Sequence, residues 1–141
     1  MKKVTRNLIL LNVLVWAVGA CVYFVTIKRE QSFLKNNEQL IKEMVSFQTY
    51  DEYKEKESYL ATKMTKTVLD QVCPIVQVSG EVPKITIDNM KTTYSNFQKN
   101  KIEIAVSFNR SVAKSPKRLI ELKAVYTKNK DKWLMSHYNY I

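Results

Sequence analysis

Few side chains in this sequence have catalytic potential. His137 is its one histidine. It lies in an alternating segment where Trp133, Met135 and Asn139 fall on the same side. A histidine base needs a carboxylate to orient its ring or a nucleophile to serve. Asp51, Asp70 and Asp88 are the acids that could stand near it, and nothing in their spacing pairs any of them with it. Cys21 and Cys73 are too few to build a metal site with one histidine. Cys21 lies inside an apolar run and Cys73 far outside it, so no internal disulfide is expected. Cys73 has no neighbouring His or Cys to activate it and reads as a small apolar residue at a helix end. With only Gly19 and Gly80 as glycines, phosphate-cradling loops and a Gly-x-Ser-x-Gly elbow are excluded. The expectation is a chain that is no enzyme, with no catalytic, metal or cofactor-binding residue.

The elements that would hold a site are easier to read. Residues 8–27 (LILLNVLVWAVGACVYFVTI) carry no formal charge and are flanked by Lys2, Lys3 and Arg6 before and Lys28 and Arg29 after. As a helix they are about 30 Å long, the thickness of a bilayer's hydrocarbon core. The reading is a single-pass transmembrane helix behind a basic cytoplasmic tail of residues 1–7. A rival exists, because Val18-Gly19-Ala20-Cys21 resembles a lipobox whose Cys21 would be lipidated. The run stays apolar through residues 22–27, which favours an uncleaved anchor. Flanking charge barely decides the orientation. A short basic tail is easily kept inside and long trailing domains cross largely regardless of charge, so the trailing domain is placed outside the plasma membrane.

Residues 28–48 continue as a helical stalk. Phe33, Leu40 and Phe47 recur every seven residues with Leu34, Ile41, Met44 and Val45 beside them. That stripe either self-associates, with Phe33, Leu40, Met44 and Phe47 as the interface, or packs on the domain's own sheet. Thr49 and Glu52 have capping-box spacing. The helix they start carries Tyr53, Leu60, Met64, Val68 and Val72 on one face and ends near Cys73, before Pro74. After a connector over residues 75–83 the period becomes two. Strands are expected from Ile85 through Tyr94, over residues 102–108, over 120–126 and over 133–141, with turns at residues 98–101 and 128–131. Short polar links between successive strands make an antiparallel meander. Residues 49–141 are thus an extracytoplasmic α+β domain, helices packed on a curved sheet of about four strands. Its aromatics, among them Tyr94, Phe97, Phe108, Tyr126, Trp133, Tyr138 and Tyr140, are expected in the core.

The net charge is +10, of which residues 28–141 keep +7. The basic residues never run longer than two, so the charge is read as solubility beside an anionic membrane rather than nucleic-acid binding. A pilin is set aside, since no glycine cleavage site precedes the apolar run and no glutamate lies inside it.

The order of basic tail, span, stalk, helix pair and a meander ending on the aromatic-rich KWLMSHYNYI resembles the nuclear-transport-factor-2-like fold. With an N-terminal anchor it is similar to the single-span assembly component of type IV secretion systems. That resemblance implies a scaffold subunit of a conjugative channel, with the bilayer, other envelope-complex proteins and further copies of itself as partners. The alternative is an extracytoplasmic ligand-binding module or lipoprotein that uses a cone-shaped pocket.

Overall fold

The computed structural model describes residues 2–46, 49–72, 84–113 and 115–141. The element order is α1 (Lys2–Val45), α2 (Tyr50–Ala61), α3 (Lys66–Val72), β1 (Ile85–Phe97), β2 (Lys101–Val112), β3 (Arg118–Asn129) and β4 (Lys132–Tyr140). The chain divides into two compact units, Met1–Lys35 and Asn36–Ile141, and α1 contributes to both. Phe47, Cys73, Lys114 and the connector over residues 75–83 lie outside the described residues.

No Gly other than Gly19 and no Pro interrupts the sequence of α1, which lets 44 residues stay helical. Its best 18-residue window reaches a mean hydropathy of 2.4, and none of that window is buried. By length and composition the helix can cross a membrane. The two polar side chains inside the apolar run are satisfied on their own helix: Asn12 Nδ2 donates to the Leu8 carbonyl at 3.1 Å and Thr26 Oγ1 to the Val22 carbonyl at 2.9 Å. Such back-bonding lowers the cost of carrying them through hydrocarbon.

The second unit is built on a four-stranded antiparallel open sheet in the order β1-β2-β3-β4. The expected strands are all present; β1, β2 and β3 run a few residues longer than their alternation indicated, and β4 has the expected length shifted by one residue. One face of β2 and β3 presents Ile102, Ile104, Val106, Phe108, Leu122, Ala124 and Tyr126, all buried. Leu40, Ile41, Met44 and Val45 of α1, Tyr53 and Leu60 of α2, Met64 and Val68 complete this core. A fully buried side chain of this size contributes about 1.5–3 kcal/mol, so these residues fix the helical layer on the sheet. The other face is polar: Glu103 meets Lys101 at 2.7 Å and Lys123 at 3.5 Å, and Thr93 Oγ1 donates to Glu121 at 3.2 Å.

Thr49 caps α2 as its spacing predicts, its Oγ1 accepting from the Glu52 N–H at 3.2 Å. The single helix expected from there to Cys73 is instead two helices. The break comes at residues 62–65, where the backbone pairs with the edge of β4: Met135 N–H donates to the Lys63 carbonyl and Thr65 N–H to the Met135 carbonyl, both at 2.9 Å. Pairing that edge satisfies groups that an unbroken helix would leave open. The opposite edge is closed by a carboxylate, since Glu38 Oε1 accepts from both the N–H and the hydroxyl of Thr92 at 2.8 Å.

Bulges shift the phase of both edge strands. On β1 the register slips between Asp88 and Lys91, where Asn89 takes φ 53°, and again at Thr93. On β4 it slips at Ser136, so Met135 faces Tyr126 while His137 faces Val125. Each bulge adds local twist, which is how a sheet curves over a small helical layer. Phe108 and Tyr126 are buried as expected, but Tyr94 and Tyr140 are exposed and Phe97, Trp133 and Tyr138 half-buried. For Tyr94 the reason is the Thr93 bulge, which turns it to the polar face opposite Ala105.

Candidate functional site

Of the side chains considered for chemistry, His137 is exposed and does not share a side with Met135, which is fully buried. The Ser136 bulge separates them, a shift that strict alternation cannot reveal. Asp88 is engaged elsewhere: its carboxylate accepts from Lys117, which holds its pKa below the ordinary carboxylate value. Asp51 and Asp70 are exposed on α2 and α3. Among the described residues no group of three His, Cys, Asp or Glu is placed to hold a metal ion. Two Ser-x-x-Lys spacings also occur. Ser32 and Lys35 are both exposed on α1, whereas Ser111 ends on β2 and its lysine, Lys114, lies outside the described residues.

Cys21 is a free cysteine in mid-helix with an exposed side chain. Nearby, Gly19 and Ala20 leave a shallow hollow walled by Val15, Trp16 and Tyr23. Nothing stands within 4 Å of where a Gly19 side chain would be. Of the stripe proposed as an interface, Leu40 and Met44 are 4% and 5% exposed inside the second unit, with Ile41 and Val45 beside them in the core. Phe33 is half-buried on the last turns of the first unit, and Phe47 lies outside the described residues.

The most constrained polar group is at the start of the second unit. The Tyr126 hydroxyl donates to Asn37 Oδ1, and both residues are buried at 3% exposure. Burial pushes the Tyr126 phenol well above its ordinary pKa, so it remains a neutral donor. Asn37 Nδ2 is buried with no hydrogen-bond partner. A buried amide half-satisfied in this way costs stability while fixing where the helix meets the sheet.

The sheet ends hold what linear reading missed. The β1–β2 and β3–β4 turns lie side by side, Lys128 N–H donating to the Asn100 carbonyl at 3.3 Å. Lys99, Lys101, Lys128, Lys130 and Lys132 therefore gather at one end of the sheet, all exposed, with Asp131 the one acid in the two turns. In sequence they are two separate alternating segments about thirty positions apart, and pairing of β2 with β3 brings them together. A lysine at alternate positions in two turns was the available signal. The arrangement is a charge-bearing surface. No protein-family model matches the chain, and no curated protein is significantly similar to it.

Proposed function

We propose that this protein is a membrane-anchored, non-enzymatic scaffold subunit of a cell-envelope assembly, with α1 as the anchor and the α+β unit as its partner-binding domain. The observation that carries the reading is the exposed, uncharged run of α1, continuous in sequence with a folded unit that exposes polar surface. An anchor of this kind limits the domain to partners at one membrane surface. In this proposal the domain lies on the extracytoplasmic side of the plasma membrane, because a long trailing domain crosses largely regardless of its charge. The nuclear-transport-factor-2-like arrangement is part of the proposal. Helices followed by a four-strand meander support it, as do edge bulges that curve the sheet. The assembly we favour is a conjugative type IV secretion channel, on the ground that its single-span component shares this order of parts.

Crosslinking in native membranes followed by purification of the tagged full chain tests the scaffold role. Discrete adducts with other envelope proteins or with further copies are expected. Recovery as a lone monomer with no crosslinked partner would overturn it.

A further inference from the structure

We propose that the paired hairpin ends form a docking site for the phosphate-bearing headgroups of anionic lipids, which holds the domain against the bilayer its own chain enters. This rests on the membrane reading of α1. Lys99, Lys101, Lys128, Lys130 and Lys132 converge there with only Asp131 between them. Lys101 meets Glu103 at 2.7 Å, and among the described residues the other four lysines make no ion pair. Four lysines elsewhere are paired with acids: Lys54 meets Glu57, Lys56 meets Glu43, Lys117 meets Asp88 and Lys123 meets Glu103. An unanswered group of like charges on two adjoining turns is a field for an anionic surface.

The choice of lipid over other anions follows from the chain's connectivity. Tyr126, which pairs across the sheet with Ile102 next to the turns, holds Asn37. Asn37 is ten residues beyond Ile27, a reach of at most about 35 Å. A surface tethered that close is present at high effective concentration, whereas a free nucleic acid or acidic protein must be met by diffusion. The turns also lack exposed aromatic side chains between their lysines, as base stacking would need.

The test uses the full chain in lipid nanodiscs, either neutral phosphatidylcholine or containing phosphatidylglycerol at roughly a third of the lipid. Trp16→Phe leaves Trp133, opposite Lys128 at the foot of the β3–β4 turn, as the single tryptophan reporter. Acrylamide, being uncharged, should quench Trp133 at least twofold less in the anionic discs. That difference should vanish at high salt. It should also vanish when Lys99, Lys128, Lys130 and Lys132 are all changed to Glu, and equally when all four are changed to Gln, with circular dichroism confirming the fold of each variant. Equal quenching in both disc types, or protection that survives either set of changes, would overturn the proposal. So would protection produced in neutral discs by an oligonucleotide or by inorganic phosphate and not by anionic lipid. Failure of the chain to co-elute with discs of either kind would instead refute the membrane reading.

Discussion

Removing the Tyr126 hydroxyl, Tyr126→Phe, takes away the hydrogen bond to Asn37 in a site where both residues are 3% exposed. Asn37 Nδ2 is already without a partner, so the substitution leaves the whole amide unsatisfied. Stranding a buried polar group costs about 1–3 kcal/mol. For a unit of this size that lowers the melting temperature by roughly 5–15 °C. Asn37→Leu takes the Asn37 acceptor from the phenol but also removes the orphan amide hydrogens, so its loss should be smaller. The double variant, which replaces both partners by apolar groups, should be close to wild type. Thermal melts of the full chain in mild detergent, followed by near-ultraviolet circular dichroism, supply all four corners of the cycle. A coupling of about 1 kcal/mol or more is expected. The pH dependence gives a second check. The folded phenol titrates above its unfolded value of 10.0, so stability is intact below that pH. It falls as pH rises past 10, where the unfolded chain releases a proton that the folded chain keeps. Tyr126→Phe should flatten that alkaline decline. Strictly additive single effects, or an unchanged alkaline limb, would refute the account of this pair as a coupled buried contact.

Other consequences follow from the same geometry. Lys130 sits at φ 54°, so Lys130→Gly should raise the melting temperature, by about 0.5–1 kcal/mol in stability, since a side chain there is strained. Leu60→Ala, at a fully buried position, should cost about 2–5 kcal/mol in denaturant titration. Thr49→Ala should cost about 1 kcal/mol through loss of the α2 cap. Because Lys117 lowers the Asp88 pKa, this pair stabilises the fold above the unfolded carboxyl value of 3.8 and is lost as pH falls through the lower, folded one. In Lys117→Met the Asp88 resonance should titrate nearer 3.8 by NMR, and stability should depend less on pH in that acid range.

Much of the fold was legible because the signals were local. Ile102, Ile104, Val106 and Phe108 announce their strand by alternation, and Thr49 with Glu52 marks the start of α2. The break at residues 62–65 was not, because no Gly or Pro marks it and its cause is a backbone pairing with Met135, some seventy residues away. The side of the sheet on which His137 lies was misread for a related reason. A bulge at Ser136 costs one residue of register and leaves no mark in composition. The apolar stripe on α1 was visible, but whether it covered itself or a neighbour was not. Leu40, Ile41, Met44 and Val45 answer this for their own positions by lying in the core of the second unit. The lysine cluster is non-local altogether, since it exists only when the two hairpins lie side by side.

The central claim is that α1 holds the α+β unit at the outer face of a membrane. The direct measurement is labelling of the full chain in intact cells with a membrane-impermeant maleimide, using Ser115→Cys at an exposed loop position between β2 and β3. Cys21 and Cys73 are changed to serine so that the introduced thiol is the one reporter, and alkaline carbonate extraction follows. The account predicts full labelling of intact cells and retention of the labelled chain in the carbonate-washed membranes. Labelling that appears only after lysis, or release of the chain by carbonate, would contradict it.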